Sequence, residues 1–144
     1  MSPAQEQFAR LERYLVRLGG RGATADDRDD LLAFFMHAWH MADWASNDPT
    51  LHRTLHEIRS AAKADPHIAI CSDLADGIKH LVLTKPPRAY GQLTSRIVAV
   101  AGLEHPTASY SVTLPDGSVR DALTLAESTV KAWRKILTGY GLNL

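Results

Sequence analysis

The segment that most restricts this chain is residues 31–44, LLAFFMHAWHMADW. At about 100° per residue its Leu, Phe, Met, Ala and Trp side chains point to almost every side of a helix. Such a helix has to be central and covered by its neighbours. The same rod carries one polar stripe, because His37, His40 and Asp43 follow one another at steps of three. Polar groups buried without partners are costly, so something must face them.

The rest of the chain supplies the covering helices. Phe8, Leu11, Leu15 and Leu18 recur at helical spacing, and Gly19-Gly20 marks a stop. Thr24 reads as the N-cap of the central helix, with Asp26, Asp27, Asp29 and Asp30 near its positive end, and that helix should run to about Ala45. Asn47-Asp48-Pro49 reads as turn, N-cap and first residue of a third helix, with Leu51, Leu55, Ile58 and Ala62 inward and His52, Arg53, His56, Glu57 and Lys63 outward. A fourth follows Asp65-Pro66, carries Ile70, Cys71, Leu74, Ile78 and Leu81 on its apolar face, and ends before Lys85-Pro86-Pro87.

Beyond the prolines the pattern changes. Arg96 to Ala101 is a short apolar, β-branched run, Tyr110, Val112 and Leu114 alternate with polar residues, and Pro115-Asp116-Gly117 signals a turn. The last helix is read from Ala126, Val130, Trp133 and Leu137, closed by Gly139 and Gly141. The expected fold is mainly α: a single domain over residues 1–144, a bundle of about five helices with a small antiparallel β-ribbon at about 96–122 inserted before the last helix.

Composition narrows the function classes. A 45% hydrophobic fraction suits one ordinary core, no apolar run approaches the roughly 20 residues of a membrane span, and MSPAQEQFARLERYL is charged where a signal peptide would be apolar. The expectation is cytoplasmic, with no membrane partner. One cysteine, Cys71, builds neither an intrachain disulfide nor a multi-cysteine zinc site and reads as a core residue. Lys+Arg and Asp+Glu balance at 16 each, which removes the simple polycation. The balance is uneven along the chain, however. Residues 31–48 hold Asp43 and Asp48 and no Lys or Arg, whereas residues 79–96 hold Lys79, Lys85, Arg88 and Arg96 and no acid.

Three chemistries compete for the polar stripe. Asp73, Asp76, Gly77 and His80 share a face of the fourth helix, and packing of helices two and four would gather histidines, carboxylates and Lys79. Metal-independent phosphodiester chemistry needs an acid, a base and a cation, and His40, His80 and Lys79 are the right types, with Asp43, Asp73, Lys85, Arg88 and Tyr90 as binding residues for a phosphate and a stacked base. A metal site would draw on His37, His40, Asp73 and His80. The third reading is a structural network fixing helix register in a non-catalytic protein-interaction or dimerisation module, with Trp39, Trp44, Phe34 and Phe35 as core and His52, His56 and His67 on the surface. No cofactor motif is read.

HAWHMADW (37–44) and ICSDLADGIKH (70–80) resemble a family of uncharacterised bacterial proteins of similar length, through Ala38, His40, Asp43 and Trp44 and then Cys71, Leu74, Ala75, Gly77, Lys79 and His80. More distantly, the layout is similar to HEPN-type helical domains. That resemblance implies a module associated with RNA or a nucleotide-containing partner, with weak or no ribonuclease activity, and often a homodimer. His80 would be the family's histidine. Where the family places an arginine shortly before it, this chain has Asp73, Leu74 and Ala75, so Lys79 or Arg88 would have to supply the cation.

Overall fold

The computed structural model describes residues 1–19, 25–79, 92–98, 107–114 and 117–144, with backbone only for 25–27, 77–79, 92–98 and 107–109. Its elements are α1 (Pro3–Leu18), α2 (Ala25–Ser46), α3 (Leu55–Ala64), α4 (Pro66–Lys79), β1 (Gln92–Val98), β2 (Thr107–Thr113), β3 (Val119–Asp121) and α5 (Ala122–Gly139). This is the expected helical bundle with an antiparallel sheet before its last helix.

Local chemistry sets most boundaries. Ser2 and Gln5 form a reciprocal capping box with Pro3 in the first turn, and Gly19 closes α1 by donating to the Leu15 carbonyl at 3.1 Å. Asp65 caps α4, accepting the amides of His67 and Ile68 at 2.9 and 3.1 Å. Asp121 caps α5 through Thr124, so the helix leaves β3 without a linker. At the far end Gly141 takes φ +98°, which lets Leu142 donate back to Leu137 at 3.0 Å and bury its side chain. The expected cap Thr24 and the stop residue Gly20 lie outside the described residues.

The start of the third helix departs from expectation. Asn47-Asp48-Pro49 does not open it; Thr54 does, with a capping box to Glu57. His52 has φ +50°, a left-handed conformation that a right-handed helix running on from Pro49 could not contain. Asp48 is held by groups distant in sequence, as described below.

α2 is the hub, packing against α1, α3, α4 and α5. Leu31, Phe34, Phe35, Ala38, Met41, Ala42 and Ala45 are buried and occupy roughly a third of its circumference. They meet Phe8 and Leu11 of α1, Ile58 and Ala62 of α3, Ile68, Cys71 and Leu74 of α4, and Trp133 and Leu137 of α5 in one cluster. Each large side chain so buried contributes about 1.5–3 kcal/mol. The sheet has the order β1-β2-β3, with Ser95 opposite Tyr110 and Val112 opposite Arg120, and α5 packs against β2 and β3. No helix among the described residues is long and apolar enough to cross a membrane.

Candidate functional site

The polar stripe of α2 lies on the side away from the core. Counting about 100° per residue, His40 stands nearly opposite the centre of the buried arc, and it is exposed. His37 and Trp44 lie on one flank, toward α1; Asp43 lies on the other, toward α3. α2 is therefore not covered all round, although its outer Leu32, Met36, Trp39 and Trp44 remain half-buried.

Each flank is fastened to a different helix. Gln7 of α1 is fully buried, and its amide nitrogen donates to the His37 carbonyl at 3.0 Å and lies 3.4 Å from His37 Nδ1. Its amide oxygen accepts from Arg10 at 2.9 Å. The His37 ring also stacks on Tyr14, centroids 5.6 Å apart. Burial, then the charge of Arg10, then that of His40 holds the His37 pKa below its ordinary value. On the other flank Asp43 pairs with Arg59 of α3 at 3.1 Å.

Asp48, read from sequence as a helix cap, is a third fastener. Its carboxylate accepts the Ala4 amide of α1 at 2.9 Å and the Thr50 amide and hydroxyl at 2.9 and 2.6 Å. Burial acts to raise its pKa, but hydrogen bonds from Ser2, Thr50 and Ala4 outweigh it and bring the value down to about 2.

The fourth helix contributes differently. α4 packs on α2, and Asp73 within it is buried and engaged, whereas His40 is exposed. Among the described residues no hydrogen bond or ion pair joins His40 to a carboxylate. Cys71 is a core residue as expected: burial pushes its thiol up to about 12, and its sulfur lies 3.5 Å from the Thr129 hydroxyl. The Lys79 side chain, His80, Lys85, Arg88 and Tyr90 lie outside the described residues, so the proposed pairing of His40 with His80 is not visible. Among the described residues no group of three or more His, Cys, Asp or Glu side chains is placed to hold a metal ion.

The structure also assembles a surface that went unread in the sequence. Arg10, Arg13, Tyr14 and Arg17 stand at i, i+3, i+4 and i+7 on one face of α1, beside His37, His40 and Trp44 of α2. The Arg10 guanidinium lies over the Trp44 ring, 5.4 Å from its centroid, and that of Arg17 over Tyr14 at 4.5 Å. Arg17 also reaches Asp30 at 3.2 Å, and Arg10 reaches Glu6 at 3.9 Å. Both ion pairs are partly open to solvent, where such pairs contribute about 0–1 kcal/mol and exchange readily for another anion. The signal was the spacing of the arginines in RLERYLVR. Compared with known protein families, curated proteins and solved structures, the chain has no match, and the reading of this seam rests on its own residues.

Proposed function

We propose that this chain is a non-catalytic, HEPN-like binding module whose seam between α1 and α2 receives a phosphate-bearing partner, RNA or a nucleotide. The observation that carries the reading is the one-face row Arg10, Arg13, Tyr14 and Arg17 beside exposed His40. Arginines supply bidentate donors for phosphate, and the rings beneath them supply stacking faces for bases. His37 and Asp43 are committed to Gln7 and Arg59, which supports a fastening role rather than turnover. His40, exposed and without a carboxylate partner among the described residues, would contribute a contact rather than acid–base chemistry.

The test is fluorescence anisotropy with a short single-stranded RNA and with a labelled nucleotide at low ionic strength. Replacing Arg10, Arg13 and Arg17 together by Ala should weaken binding roughly ten-fold or more and make the salt dependence shallower by about three, one unit per lost phosphate contact. Equal binding by wild type and triple variant would overturn the site, and no wild-type binding would overturn the function. In the latter case a concentration-dependent dimer in sedimentation would favour the protein-interaction reading, in which half-buried Leu32, Met36 and Trp39 meet a second surface. Incubating RNA in EDTA with wild type, His40→Ala and His80→Ala should give equal background cleavage; a rate lost on either substitution would establish an enzyme.

A further inference from the structure

We propose that Gln7, Arg10 and His37 form a proton-operated latch between α1 and α2, closed while the His37 ring is neutral and released when Nδ1 takes a proton. The argument is one of donors and acceptors, and it stands whatever the seam binds. The buried Gln7 amide has a fixed orientation: its nitrogen donates toward the His37 carbonyl and Nδ1, and its oxygen accepts from Arg10. Nδ1 therefore serves as an acceptor, and the ring hydrogen sits on Nε2.

Protonation of Nδ1 turns that acceptor into a donor and sets two N–H groups against each other. Turning the Gln7 amide over does not repair the contact. Its oxygen would then receive the new Nδ1 proton but would oppose the His37 carbonyl oxygen, and its NH2 would oppose the Arg10 guanidinium. The amide is locked by two partners that do not titrate near neutral pH, so it reads only the neutral ring.

The charged surroundings act in the same sense. Arg10 faces the ring from α1 and His40 from its own helix, and both oppose a second positive charge. The nearest carboxylates on this seam are already committed, Glu6 toward Arg10 and Asp30 to Arg17. Tyr14, stacked on the ring, is the one contact that would favour an imidazolium. Among the described residues no titratable group of α3, α4 or α5 acts on His37. The sign follows: the unfolded chain takes up the His37 proton near its ordinary 6.5 and the closed seam takes it up only at lower pH. The latch is fully closed above 6.5 and weakens as pH falls below it.

The experiment is a histidine NMR titration of wild type, read together with the Gln7 side-chain NH2 resonances, and urea midpoints from pH 8 to pH 5. The latch predicts a His37 midpoint below 6.5, Gln7 NH2 shifts that follow the same curve, and a fall in urea midpoint over that range. In His37→Asn, whose side-chain oxygen still offers Gln7 an acceptor but cannot titrate, that fall should be smaller. A His37 midpoint at or above 6.5, or Gln7 resonances that ignore the titration, would overturn the proposal even if the variant folds poorly. Equal pH dependence of the wild-type and His37→Asn midpoints would overturn it as well.

Discussion

Two polar residues of the α2 region hold on to α1, and they prefer opposite charge states. At the end of α2, Asp48 receives N–H and O–H donors from Ala4 and Thr50, and those donors keep it ionised despite its burial. Further up the helix, His37 is gripped by an amide that needs the ring as an acceptor, beside an arginine that repels a second positive charge, and the ring is kept neutral. Burial is common to both. What decides the charge is which kind of hydrogen-bonding group the neighbouring helix presents. The two fasteners consequently fail in different pH ranges. The Asp48 contribution is present above its unfolded value of 3.8 and is lost as pH falls through about 2, whereas the His37 contact begins to weaken below 6.5.

The contrast can be broken at either end. Asp48→Ala should have the largest effect, about 2–4 kcal/mol by urea denaturation near neutral pH, because it strands the Ala4 amide and removes three bonds to a charged acceptor. A loss below about 0.5 kcal/mol would show that water replaces the carboxylate at no cost. Gln7→Glu should invert the other fastener. A carboxylate beside His37 favours the imidazolium, so the NMR midpoint of that ring should move above 6.5, and the variant should gain stability relative to wild type as pH is lowered toward 6. A midpoint that stays below 6.5 would mean that burial and Arg10, not the amide, govern the ring. The smallest effect is expected for His40→Ala, within about 0.5 kcal/mol at any pH from 5 to 8, since the side chain is exposed and bonds to no carboxylate among the described residues.

The same pair shows what could be read from the chain beforehand. Elements governed by local chemistry were legible: α4 opens at Asp65-Pro66, α1 stops at Gly19, and Cys71 is a core residue on the apolar stripe of α4. Asp48 carried a helix-cap signature, yet its carboxylate is taken by an amide 44 residues away, and no local pattern reports such a bond. For His37 and Asp43 the spacing foretold that polar partners were needed, but it could not say that they would be Gln7 and Arg59. Helical periodicity fixes which residues share a face and leaves open how far the rod is rotated. Rotated as it is, α2 exposes His40, while α4 buries Asp73. Gln7 did leave a trace, as a polar residue at a core position between Ala4 and Leu11, and the arginine row of α1 left another in its spacing.

The antiparallel seating of α1 on α2 carries a further consequence. Apolar surfaces alone tolerate sliding, because a leucine pressed against one phenylalanine is nearly as content one helical turn, about 5.4 Å, further along. The ties Ala4 to Asp48, Gln7 to His37 and Arg17 to Asp30 cannot be remade after such a step, since neighbouring positions offer no matching groups. Their main value is uniqueness rather than net stability: they make one alignment of the two helices distinguishable from its near-degenerate alternatives, and so define a single surface for a partner to meet.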